Sequence, residues 1–160
     1  MNKNFSIKSG NDLEKALEMA GSFLKRAEDE LGTAREKIKG YSPNYPQIIS
    51  LCQKCVEFSI KAIFLLLGRG YPRDHKFREE EFEFILKNIP EKLEYLGFPK
   101  LYLYSEFWEK FRTIADYGYE KLGIGADKLF DKEEAELALK HAEKCRYAAS
   151  HLKNYKEHPW

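Results

Sequence analysis

A chain of 160 residues, 43% hydrophobic and 33% charged, has the length for one hydrophobic core rather than two and is too apolar to stay disordered. Its formal net charge of +1 excludes a global basic field that would steer it to nucleic acid, so any RNA site has to be a local patch. The longest apolar run, AIFLLL at 62–67, falls far short of the roughly 20 residues of a membrane span. With no hydrophobic signal region in MNKNFSIKSG, the expectation is a cytoplasmic protein without a membrane partner.

Apolar residues recur at helical spacing nearly everywhere. Leu13, Leu17, Ala20, Leu24, Ala27, Leu31, Ala34 and Ile38 step by three, four or seven and predict one long first helix, capped by Asn11 and stopped at Gly40. A second helix is expected from near Asn44 to Leu67, with Pro46 in the first turn, where a missing N–H does no harm, and GRGYP as its terminator. Lys76 to Ile89 reads as a shorter acidic helix ended by Pro90, and EKLEYL as a turn. Leu101 to Lys121 reads as a fourth helix with Tyr104, Phe107, Trp108, Phe111 and Ala115 facing inward, and LGIGADKLF as a loop. The last helix starts at Asp131, which forms a capping box with Glu134, and turns Leu137, Ala138, Ala142, Cys145 and Ala149 inward. No pair of strands is visible. The expected fold is all-α: an up-and-down bundle of four to five helices forming one domain over 1–160, with its core at about 10–152.

The motif inventory is short. The chain has no Walker loop, nucleophile elbow, HExxH or EF-hand pattern. Cys52, Cys55 and Cys145 are an odd number of cysteines. The C-x-x-C at 52–55 lies among apolar residues at helical spacing, so its thiols are expected to face the core. No second pair or nearby histidine completes a zinc site, and no metal or cofactor is expected. His141, His151 and His158 are expected to be exposed on or beyond the last helix, and Trp160 either packs on the bundle or stays free.

Two constellations remain. In CVEFSIKAIFLLLGRGYPRDHKF, Glu57 and Lys61 stand four apart on one helix face, an ion pair worth a few tenths of a kcal/mol if it lies on the surface. Arg69, Arg73, His75 and Lys76 cluster around the following Pro/Gly turn, where His75 either braces the turn or joins a site. The second constellation is RTIADYGY at 112–119. On a continuous helix Arg112, Asp116 and Tyr119 would share a face, and Tyr117 would join them only if the helix bends or ends near Gly118, or if a second chain supplies it. An arginine fork and phenol hydroxyls suit a phosphate, but an Arg–Asp pair and two packed tyrosines explain the same residues without any ligand.

Together these stretches resemble the HEPN family of small helical domains, over most of residues 10–152. Glu57, Lys61, LLLGRGYPRDHKF and His75 match its first block. Arg112, Tyr117 and Tyr119 occupy the places of an Arg, four residues, His, one residue, Tyr pattern found in members paired with a nucleotidyltransferase. The alanine-rich last helix is also similar. The resemblance implies a homodimer with a phosphate-facing cleft at its two-fold axis, binding RNA or nucleotide, in a toxin–antitoxin-like system with a nucleotidyltransferase partner. Arg112 and Tyr117 would take the catalytic positions, and Tyr119 would contact phosphate or receive AMP. Many members are metal-independent ribonucleases, which is the alternative reading; a structural dimerisation domain without ligand is the third. Tyr117 stands where the family carries histidine, and a phenol of pKa about 10 is a poor base at neutral pH. The loose Arg-to-His spacing also recurs at Arg69–His75 and Arg146–His151, as chance allows; the first belongs to the secondary cluster of Glu57, Lys61, Arg69, Arg73 and His75.

Overall fold

A computed structural model describes residues 10–159; Trp160 lies outside them. The elements are α1 (Gly10–Ile38), α2 (Tyr45–Leu66), α3 (Glu79–Asn88), a 3-10 turn (Glu91–Leu96), α4 (Phe98–Glu109), α5 (Arg112–Tyr117), two further 3-10 turns (Glu120–Leu122 and Ala126–Lys128) and α6 (Lys132–Glu157). No strand occurs among the described residues; Tyr119 and Ile124 form an isolated antiparallel bridge. The fold is all-α, as expected.

The centre of the molecule is α2, which packs against α1 on one side and α6 on the other. Its buried run from Val56 to Leu66, apolar but for Glu57, Ser59 and Lys61, explains this place, because a helix so largely apolar has to be covered by neighbours on most sides. The neighbours are matched to it in size. The buried face of α1 is mostly alanine (Ala16, Ala20, Ala27, Ala34), and that of α6 carries Ala135, Ala138, Ala142, Ala148 and Ala149. These small faces let the large side chains of α2, with Ile60, Ile63 and Phe64 fully buried, fill the space between helices. Each such side chain contributes about 1.5–3 kcal/mol of burial.

The helix ends follow ordinary capping chemistry. The Asn44 side chain accepts from the Gln47 N–H at 3.1 Å with Pro46 in the first turn, and Asp131 accepts from the Glu133 N–H at 3.0 Å while its own N–H donates to Glu134. Asn11 is not a cap, since α1 already begins at Gly10, and Leu13 of the expected stripe is 40% exposed. α3 begins three residues later than expected. Phe77 leaves the helical path to stack on Phe64 (centroids 5.9 Å apart), and the Arg78 N–H closes the start on Glu81 Oε1 at 3.0 Å.

The expected fourth helix is two helices. α4 ends at Glu109, the Phe111 N–H closes a tight turn on the Trp108 carbonyl, and α5 starts at Arg112. Tyr104, Trp108 and Ala115 are buried as expected, but Phe107 is exposed and Phe111 only half-buried. The break was hidden because the inward residues 104, 108, 111 and 115 keep a helical 4-3-4 rhythm across it. Gly118, at φ +67°, then turns the chain out of α5.

Candidate functional site

Apart from Ser59, which is buried in the core, the polar residues of α2 gather on one side of the helix. Ser50, Lys54, Glu57 and Lys61 follow each other at four, three and four residues, so they form one stripe. Beside that stripe α1 presents Arg26 and Glu30, the segment after α2 brings Arg73 and His75, and α5 brings Arg112 and Asp116. All of them line one groove of about 580 Å3. Residues 26 and 112 meet here only because the tight turn after α4 swings the start of α5 toward α2.

Glu57 is the hub of the groove. It is 5% exposed and Lys61 is 6% exposed, with Lys61 Nζ donating to Glu57 Oε1 at 2.7 Å. The pair is therefore a buried one, which corrects the surface pair worth a few tenths of a kcal/mol expected from spacing alone. His75 Nδ1 lies 3.0 Å from each oxygen of the same carboxylate. A carboxylate only accepts, so Nδ1 carries a proton in this contact and Nε2 is the ring atom left for other partners. The His75 side chain is 48% exposed, so that face is reachable.

Around this hub the cations are unmatched. Among the described residues Arg26, Lys54, Arg73 and Arg112 have no carboxylate within ion-pair distance. Arg26 instead lies over the Phe58 ring, 4.0 Å from its centroid. Asp116, which an Arg112–Asp116 pair would need, accepts from Ser50 Oγ at 2.7 Å. Glu109 is the closest in influence: burial raises its carboxyl above the usual range, and Arg112 and His75 pull it back down. Gln53, itself buried, donates to it at 3.2 Å. Arg112 thus sits half-buried with donors to spare, in a position where an anion would be its natural partner.

Of the residues singled out in the sequence, the structure brings Arg112, Glu57, Lys61, Arg73 and His75 into one groove. It does not bring Arg69, whose guanidinium lies over the Phe84 ring at 5.0 Å. Tyr117 and Tyr119 are 63% and 44% exposed and do not line the groove in this chain. Because α5 ends at Tyr117, the two-turn relation between Arg112 and Tyr119 does not form. The Tyr119 backbone is instead held to Ile124, its N–H donating to that carbonyl at 2.8 Å. Sequence reasoning missed Arg26, Lys54, Gln53 and Glu109. The first three had a signal, polar side chains on the flank of apolar stripes; Glu109 had none, because its contact with Gln53 depends on α4 packing against α2 and its nearness to Arg112 on the turn that follows.

The remaining candidates are structural. Cys52, Cys55 and Cys145 are buried and unpaired, and no group of residues that could hold a metal ion occurs among the described residues. His141 is half-buried rather than exposed, accepting from Trp108 Nε1 at 3.0 Å and stacked on Tyr104. No helix among the described residues is long and apolar enough to cross a membrane.

The family model for the HEPN domain matches residues 20–152, which contain every residue of the groove. A curated protein of Methanocaldococcus jannaschii, named "Putative toxin MJ1304", is 32% identical over 131 residues, covering 79% of this chain and 83% of its own length. No solved structure matches the chain.

Proposed function

The chain belongs to the HEPN family, and from that premise we propose that it binds RNA or nucleotide phosphate in the groove between α2, α5 and the His75 turn, as the partner of a nucleotidyltransferase in a toxin–antitoxin-like pair. The observation that carries the proposal is Arg112, a half-buried guanidinium facing the groove with no ion-pair partner among the described residues, in the company of three more unmatched cations. A single phosphate would satisfy its fork, and a strand would use Arg26, Lys54 and Arg73 as well. Two copies of the chain would set two such grooves together. Tyr119, exposed beyond the end of α5, is open to modification by the nucleotidyltransferase.

The test is binding of a short labelled single-stranded RNA at several salt concentrations. Arg112→Ala is expected to weaken binding about tenfold and to lower the salt slope by about 0.7, the share of one phosphate contact. Equal affinity and equal slope for the variant and the wild type would sink the proposal. For the partner, incubation with a nucleotidyltransferase of the kind paired with HEPN proteins and ATP is expected to add one AMP by intact mass, lost in Tyr119→Phe.

A second reading, ribonuclease activity, is favoured by one specific contact. The Glu57 carboxylate holds Nδ1 of His75 and leaves Nε2 free, on a residue that lines the same groove as Arg112. Nε2 would take the proton of a ribose 2′-hydroxyl as that oxygen attacks the adjacent phosphorus. The leaving 5′-oxygen would then regain a proton, and Arg112 would hold the charge that builds on the phosphate. In this reading His75 does the work of the histidine that position 117 lacks. Cleavage in excess chelator, lost in His75→Ala and in Arg112→Ala but kept in Tyr117→Phe, is the expected result; cleavage that survives His75→Ala removes this reading.

A further inference from the structure

A second cavity, of about 500 Å3, opens between α4, α6 and the 3-10 turn before α4, and it shares no lining residue with the groove. Its volume is in the range of about 300–1,000 Å3 typical of small-ligand sites. The two helices contribute to it in the same way. On α4, Lys100 and Tyr104 stand four apart; on α6, Lys144 and Tyr147 stand three apart; each pair therefore faces one way. Tyr95 enters from the turn.

The cavity has a fixed floor and open walls. Tyr104 is buried, its ring stacked on His141 with centroids 3.9 Å apart and planes 13° from parallel, and its hydroxyl accepts from Lys144 Nζ at 3.5 Å. Tyr95 and Tyr147 are 67% and 49% exposed, with the His151 ring against Tyr147 at 4.1 Å between centroids and the Tyr95 ring open. No acidic side chain lines the cavity, and neither Lys100 nor Lys144 has a carboxylate partner among the described residues.

These features select the ligand. Two unmatched ammonium groups repel a cation and hold an anion. Exposed phenol rings beside them offer faces to another flat ring. Aromatic platforms next to cations are the general means of holding a base and its phosphate. We propose that this cavity binds a nucleobase–phosphate unit, with the base against Tyr95 or Tyr147 and the phosphate between Lys100 and Lys144. The unit can come from a free nucleotide or from a residue of single-stranded RNA, and the site is independent of the groove reading.

The test uses the full chain carrying Arg112→Ala, so that any binding in the groove is reduced. Calorimetry with AMP, with inorganic phosphate and with an RNA hexamer is run on that protein and on versions also carrying Tyr95→Ala or Lys100→Glu. Both added changes are at the surface, and unchanged thermal unfolding checks that the fold persists. The expected result is saturable AMP binding that weakens about tenfold or more with Tyr95→Ala, the loss typical of a base–aromatic stack, and disappears with Lys100→Glu. A hexamer that binds much tighter than AMP and shows the same losses identifies the strand as the source; equal affinities identify the free nucleotide. Phosphate binding as tightly as AMP, or AMP and hexamer binding that neither substitution weakens, overturns the proposal.

Discussion

His75 Nδ1 lies 3.0 Å from both carboxylate oxygens of Glu57, although the two residues come from a surface turn and from the buried middle of α2. The contact ties the segment after α2 to the core at a residue that lines the groove. It also makes Glu57 serve two donors, since Lys61 donates to the same Oε1.

That double duty gives a stability prediction. Glu57→Ala leaves Lys61 6% exposed and without its carboxylate, which costs about 3–5 kcal/mol for a buried pair broken on one side. Replacing both partners, as Glu57→Leu with Lys61→Met, recovers most of that loss. Urea unfolding of the three proteins checks it. If Glu57→Ala shifts stability by only a few tenths of a kcal/mol, as a surface pair does, the burial argued above is wrong. Because of this expected loss, Glu57→Ala is not suited to serve as a fold-intact control for binding or cleavage.

His141 gives a pH dependence. Burial lowers its pKa from 6.5, and Lys144 and Lys140 lower it further. The unfolded chain then binds the proton more readily than the folded one, so stability is full above pH 6.5 and declines as the pH falls below it. Protonation at Nδ1 would also remove the acceptor for Trp108 Nε1. Urea midpoints are expected to fall between pH 7.5 and pH 5 in the wild type, and less so in His141→Gln. Glu109, raised by burial, acts in the opposite direction at lower pH, so the difference between the two proteins is the quantity to measure.

The cysteines should be inert in the native state. Burial pushes the Cys55 thiol up to about 12 and moves Cys52 and Cys145 upward as well. The thiolate is the reactive form. Iodoacetamide at pH 8 is therefore expected to leave the folded protein unmodified while all three cysteines react in urea. Rapid native labelling at residue 52 or 55 would revive a redox role for the C-x-x-C.

Gly118 has no tolerance for a side chain. At its φ of +67° an added Cβ would stand 2.2 Å from the Ile124 carbonyl oxygen and 2.8 Å from the Ala126 nitrogen. The left-handed conformation alone costs about 1–3 kcal/mol for another residue, and the backbone contact adds to it. Gly32→Ala, inside α1 with nothing within 4 Å of the new carbon, is expected instead to stabilise by about 0.5–1 kcal/mol. Thermal unfolding of both variants gives the comparison.

Residue order alone determined the all-α fold, the extent of α2, the capping box that starts α6, and the two blocks that resemble the HEPN family. Periodicity and capping act within a turn or two of the chain, so they can be read locally. Tertiary structure decided what those blocks do together. Arg112 reaches the Glu57–His75 hub because the chain breaks at residues 110–111, and the inward rhythm of Tyr104, Trp108, Phe111 and Ala115 runs straight through that break. Whether Glu57 and Lys61 form a weak surface pair or a buried one has the same local signature. The difference lies in α1 and the His75 turn covering them, and a spacing of four residues carries no information about what packs on top.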